Sequence, residues 1–161
     1  MLAGFEYRGS AKALIRTLKY RRVRGIARIL ADFLVEDLGE KGITWGSQAL
    51  IVPIPLSFWR KGARGFNQAT LLGEALAGKL DLAFRPDLLR RVKDTPSQTS
   101  LSRPERSANV RGVFEVSGRL GGEDLLLVDD VLTTGATARE AAKTLKKAGA
   151  GQVWVLTFSK D

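Results

Sequence analysis

The chain has 161 residues, 44% hydrophobic and 27% charged, the proportions of an ordinary globular protein able to bury one proper core. With 0 cysteines and 0 histidines it can form no disulfide, thiol nucleophile, Ser–His triad or zinc site built on Cys or His, so any catalysis runs on carboxylates, cations, hydroxyls, backbone and a hard metal. Lys and Arg number 26 against 17 Asp and Glu, and the formal net charge of +9 suits phosphate-rich small ligands, a nucleic-acid backbone or a plain basic surface.

The first residues lack a basic, apolar, cleavable leader and no apolar run reaches membrane-spanning length, so a cytoplasmic chain without membrane insertion is expected. Helical periodicity runs from Ser10 to about Leu38, with a break at Gly25; Ile26, Ile29, Leu30, Phe33 and Leu34 fall on one face. Residues 49–55 read as a buried strand closed by proline, 66–80 as a helix, 88–92 and 113–116 as short strands. The stretch 93–112 is polar, rich in arginine and without period. A strand at 124–129, a helix at 137–148 and a strand at 152–158 complete the order, and this alternation predicts a parallel sheet covered by helices on both faces. Trp45, Trp59 and Trp154 are candidates to stack the bases of single-stranded DNA, although Trp154 alternates within the last strand and is expected in the core.

The strongest motif is Leu125-Leu-Leu-Val-Asp-Asp-Val-Leu-Thr-Thr-Gly-Ala-Thr137. A buried strand is expected to stop at two acids and hand over, through a small hydroxyl-bearing loop, to a helix N-terminus. Acids at that point accept hydrogen bonds from a sugar diol or hold a metal's water shell. The loop amides and the positive end of the helix dipole cradle a phosphate, so one ligand satisfying both is a phosphorylated ribose. The alternative is a strand ending in solvated acids before an ordinary capped helix.

Two further segments carry chemistry. Between the strand at 49–55 and the next helix stand Arg60, Lys61 and Arg64, cations suited to a diphosphate beside helix-terminal amides. In the stretch 93–112, Gln98, Arg103, Arg106 and Arg111 lie in a loop long enough to serve as a lid, with the three arginines candidates for pyrophosphate or acceptor contacts. Gly73-Glu-Ala-Leu-Ala-Gly-Lys79 imitates a nucleoside-triphosphate loop. Leu80 stands where a metal-binding hydroxyl is needed, and Leu72, Ala75, Leu76 and Leu80 mark a core helix instead.

Val128-Asp-Asp-Val-Leu-Thr-Thr-Gly-Ala-Thr137 resembles the phosphoribosyl pyrophosphate (PRPP) motif of type I phosphoribosyltransferases. Together with Lys19-Tyr20, Val52-Pro-Ile-Pro…Arg64-Gly-Phe-Asn-Gln68 and Gln98-Thr…Leu101-Ser-Arg103…Arg106…Asn109-Val-Arg-Gly112, it resembles the ComF family, phosphoribosyltransferase-like proteins linked to bacterial competence. The resemblance spans the chain. It implies an α/β type I phosphoribosyltransferase fold: a twisted, mainly parallel sheet flanked by helices, with a mobile lid at about 93–112. Residues 1–161 then form a single domain, with an N-terminal helical part at 1–45 and an α/β core at 46–161.

The resemblance also implies a Mg²⁺-dependent transfer of phosphoribosyl from PRPP to a nitrogen acceptor. Asp129 and Asp130 are its expected catalytic, ribose-binding residues, touching metal only through ligand or water. Thr133, Thr134, Gly135, Ala136 and Thr137 are expected at the 5′-phosphate, and Arg60, Lys61, Arg64 and Lys19 at pyrophosphate. PRPP and pyrophosphate are the expected ligands. A homodimer, single-stranded DNA and the competence machinery stay open as partners, as does a setting in nucleotide metabolism. Alternatives to catalysis are a PRPP sensor and a single-stranded-DNA-binding factor. Some purine-salvage relatives carry an aspartate where Thr133 stands, which makes that acceptor class less favoured. Family members open with a cysteine-rich zinc module that this sequence lacks, so the chain is expected to be a short natural form or a truncated one.

Overall fold

Strand β6 (Leu125–Leu132) is the middle of a five-stranded sheet, and its Leu-Leu-Leu-Val start is covered on both faces. The computed structural model describes residues 2–20, 25–58, 62, 65–93, 95 and 109–161, with Ala3, Lys19 and Tyr20 described by backbone alone. In chain order the other elements are β1 (Leu2–Glu6), α1 (Gly9–Tyr20), α2 (Gly25–Glu40), β2 (Leu50–Pro53), α3 (Gln68–Leu80), β3 (Ala83–Phe84), β4 (Leu89–Arg91), β5 (Phe114–Val116), α4 (Ala136–Lys147) and β7 (Val153–Lys160).

The sheet order is β1-β7-β6-β2-β3, and every pairing in it is parallel. Parallel strands need helical crossovers, and their side chains alternate between two covered faces. Leu126, Val128, Leu156 and Phe158 point into one core with Ile15, Leu18, Leu30, Leu34, Leu72 and Leu76 of α1, α2 and α3. Leu125, Leu127 and Val155 point into the other, against Ala138, Ala141 and Leu145 of α4 and against Leu89 and Phe114. Those last two belong to an antiparallel ribbon, β4 with β5, in which Arg91 stands opposite Phe114.

Several expectations change. Residues 2–6, placed by sequence in a helical N-terminal part, form the edge strand β1, paired with β7 from Leu2↔Leu156 to Glu6↔Lys160. On α2 the buried residues are Ala27, Leu30, Ala31, Leu34 and Leu38, while Ile29 and Phe33 are 48% and 43% exposed. α2 packs chiefly against α3 through its buried face, and the bulkier pair is turned outward. Trp154, expected in the core, is 39% exposed. Gly73 and Lys79 lie inside α3, as a core helix requires, and Lys79 pairs with Asp32 on α2.

Helix α3 starts at Gln68 because Asn67 caps it: its Oδ1 accepts from the Ala69 amide at 3.1 Å. The same side chain's Nδ2 donates to the Ile54 carbonyl at 2.9 Å, tying the helix start to the chain just beyond β2.

Candidate active site

The acids do not end their strand. β6 continues through Asp129 and Asp130 to Leu132, because β7 keeps pairing with it as far as Leu132↔Lys160. On the other side β2 stops at Pro53↔Val128, after which the Ile54 amide donates to Val128 O at 2.9 Å and the chain leaves. The acids therefore emerge just where one neighbour ends. From β2 the chain crosses to β3 on one side, and from β6 it crosses to β7 on the other, so the gap between them is a topological switch point. Open parallel sheets bind their ligands there.

Side-chain alternation also shifts by one residue across the pair. Leu126 and Val128 face the first core and Leu125 and Leu127 the second, but beyond the acids Val131 joins the first and Leu132 the second. Consecutive acids, which a regular strand sends to opposite faces, thus both border one cavity of about 240 Å³. Asp130 is buried and Asp129 half-buried. Asp129 Oδ1 accepts from the Asp130 amide at 2.8 Å, which folds that carboxylate back on its own strand.

The loop after β6 completes the cavity. Thr133, Gly135, Ala136 and Thr137 line it. Thr134 does not line it but holds its shape: its hydroxyl accepts from the Ala136 amide at 3.4 Å, and its carbonyl accepts from Arg139 Nη2 at 2.8 Å. Gly135 caps α4 at φ 71, the left-handed region, with no side-chain cap. Gly135 and the first three residues of α4, Ala136, Thr137 and Ala138, border the cavity, so a helix N-terminus, the usual seat of an anion, stands at its edge.

On the β2 side the wall is formed by Ile54, Pro55, Leu56 and Ser57; on the other, past β1 and β7, stand Tyr7 and Asp161. Arg91 and Thr95 close it beneath the β4–β5 ribbon, and Arg91 is the one cation in the lining among the described residues. No sequence signal singled out Arg91. A second cleft of about 780 Å³ adjoins this one, and Pro55, Leu56 and Arg91 line both.

Of the other expected site residues, Arg60, Lys61, Arg64, Gln98, Arg103 and Arg106 lie outside the described residues, as does the side chain of Lys19. Arg111 is exposed and lines neither cleft. Asp129, Asp130, Thr133 and Thr137 offer oxygen donors, the kind a hard cation takes. Among the described residues no group of three or more His, Cys, Asp or Glu could hold an ion. A Mg²⁺ therefore fits here only with ligand oxygens and water completing its shell.

A parallel sheet with this switch-point cavity and a threonine–glycine loop defines the type I phosphoribosyltransferase fold. The chain is similar to adenine phosphoribosyltransferase from Saccharomyces cerevisiae, with a TM-score of 0.55 at 18% identity over 87% of this chain and 71% of that one, a likeness of fold alone.

Among curated proteins the chain is 36% identical over 155 residues to the DNA utilization protein YhgH of Salmonella typhimurium, covering 94% of this chain and 68% of that protein. To competence protein F of Haemophilus influenzae it is 39% identical over 150 residues, covering 89% and 66%. No protein-family profile matches. The chain belongs to the ComF family. Among the described residues no helix is long and apolar enough to cross a membrane.

Proposed function

We propose that this protein binds PRPP with Mg²⁺ and transfers its phosphoribosyl group to a nitrogen acceptor, releasing pyrophosphate. The observation that carries the reading is the pair Asp129 and Asp130 bordering one cavity with the loop of Thr133, Gly135 and Thr137. Sugar hydroxyls donate to the carboxylates, while the loop hydroxyls and the first amides of α4 hold the 5′-phosphate. Mg²⁺ supplies charge neutralisation at the diphosphate when bound. The C1′–oxygen bond to diphosphate breaks, a C1′–nitrogen bond forms, and the nitrogen gives up its proton. The protein's share is positioning and electrostatic stabilisation of charge that develops on the departing group. The names of the relatives support a setting in DNA uptake.

The test is Asp129→Asn combined with Asp130→Asn. Calorimetric affinity for PRPP with Mg²⁺ is expected to disappear while the thermal unfolding midpoint stays close to that of the parent chain. Undiminished affinity defeats the assignment.

A second reading, a PRPP sensor without turnover, is supported by Thr133: it lines the cavity but has no group that titrates near neutrality to serve an acceptor base. Release of pyrophosphate in the presence of a panel of nitrogen bases separates the two, since a sensor binds PRPP and releases none.

A further inference from the structure

We infer that Thr157 of β7 is a positioning residue whose buried hydroxyl takes hold of the Asp129 carboxylate when ribose binds, a role that rests on the PRPP reading above. Thr157 is 0% exposed, and among the described residues its Oγ1 has no hydrogen-bond partner. A hydroxyl shut away from water without a partner costs free energy, and a valine of the same shape is free of that cost. Packing alone therefore gives no reason for the oxygen.

The sheet register supplies an acceptor. Asp129 pairs with Thr157, two residues beyond the pair Leu127 and Val155. Leu127 and Val155 both face the core beneath α4, so strand alternation turns Asp129 and Thr157 to that side as well. Adjacent strands lie about 4.8 Å apart, which brings a hydroxyl and a carboxylate in register within reach of one another. The other neighbours offer no acceptor side chain. Across β1 the register partner is Ala3, and the next residues of β7 on this face are Val155 and Ser159. Ser159 Oγ is itself buried and without a partner among the described residues, so the two hydroxyls do not satisfy each other.

Asp129 borders the cavity and Thr157 does not, so Thr157 acts on a ligand only through the acid. Asp129 Oδ1 accepts from the Asp130 amide, which draws the carboxylate along its own strand. To receive both hydroxyls of a sugar diol, the carboxylate has to turn its oxygens toward the cavity. Its two oxygens have about four acceptor sites, enough for the diol and for a donor behind it. A hydroxyl bonded to a charged carboxylate makes one of the stronger hydrogen bonds, and it holds the turned side chain in place. The bond forms in the ligand-bound state, so it shifts the balance toward the binding geometry.

The experiment compares the parent chain with Thr157→Val, Thr157→Ser and Ser159→Ala by thermal unfolding and by calorimetry. The ligands are PRPP, ribose 5-phosphate and pyrophosphate, each with Mg²⁺. Thr157→Val loses an unpaired buried hydroxyl and is expected to unfold about 2–4 °C higher, yet to bind PRPP and ribose 5-phosphate about 10-fold more weakly. Thr157→Ser keeps the oxygen and loses a buried methyl, so it is expected to unfold lower and to bind both sugars as the parent chain does. Pyrophosphate has no ribose and is expected to bind every variant equally. Ser159 stands in register with the apolar Val131, and Ser159→Ala is expected to leave sugar affinity unchanged. Thr157→Ala replaces the valine variant if that one does not fold, with the same loss of sugar affinity expected. Unchanged sugar affinity in the variant lacking the hydroxyl overturns the inference. So does an equal loss in Thr157→Ser or Ser159→Ala, which marks a general loosening of β7. A parent chain that binds neither PRPP nor ribose 5-phosphate overturns the PRPP reading itself, and the inference with it.

Discussion

Glu140 accepts a hydrogen bond from the amide of Gly112 at 2.7 Å, joining residues 28 apart in sequence. Gly112 precedes β5 and Glu140 lies in the second turn of α4, one residue after the Arg139 that holds the Thr134 carbonyl. The helix that opens at the threonine–glycine loop is therefore also tied to the root of the 93–112 stretch. The bond is exposed, so water replaces part of what is lost when it is cut. Glu140→Ala is expected to cost about 0.5–1 kcal/mol, a small drop in thermal midpoint. Glu140→Gln keeps an acceptor and is expected to recover much of it. Equal midpoints for all three chains, measured by circular dichroism, would dismiss the tie as energetically idle.

The turn that leads into β6 carries the clearest pH signature. Hydrogen bonds from its own amide and from the Gly121 amide, the latter at 2.6 Å to Oε2, hold the Glu123 carboxyl below its ordinary value of 4.5; slight desolvation opposes them and the charge of Arg85 assists. A carboxyl lowered in the folded state contributes stability that is present above its unfolded value and lost as pH falls through the folded one. Glu123→Gln is therefore expected to lower the unfolding midpoint well above pH 4.5, and the gap to the parent chain is expected to close as the solution is acidified through the folded value. A gap that stays constant over that range would refute the ionic origin.

How far the sequence was legible follows from how each residue earns its place. The strand at β6 announces itself because both its faces are covered, and four consecutive aliphatic residues have no other use there. Its end was misjudged because charge normally stops a buried strand, whereas continued pairing with β7 carries this one past Asp130. β1 was invisible: Leu-Ala-Gly-Phe-Glu has no clean alternation, and its glycine answers a tertiary demand. A Cβ at Gly4 would stand 2.9 Å from Leu34 Cδ2. On α2 two overlapping apolar stripes compete, and the stripe with Ala27 and Ala31 is the one buried, in a helix packed chiefly against α3. Phe33 was left outside, edge-on to Phe5 with ring centres 6.1 Å apart. Arg91 carries no signal of its own within the short strand expected at 88–92; only the ribbon pairing and the cavity reveal where it stands.

Gly135 is the position where conformation and binding are most tightly joined. At φ 71 it adopts a backbone that a Cβ disfavours, and an added Cβ would stand 2.9 Å from Arg139 Nη1 and 3.5 Å from Leu132 Cδ1. Gly135→Ala is thus expected to lose about 1–2 kcal/mol of stability from the left-handed strain alone. Moving Arg139 also loosens its bond to the Thr134 carbonyl, which sets the curvature of the loop. Arg139→Ala removes that bond without straining the backbone, so it separates the two effects. Expected by calorimetry with ribose 5-phosphate is a modest weakening in Arg139→Ala and a larger one in Gly135→Ala, with only the latter showing the full drop in unfolding midpoint. If Gly135→Ala binds ribose 5-phosphate as the parent chain does, the loop does not depend on this glycine, and the 5′-phosphate must be held by a different arrangement of the 133–137 backbone.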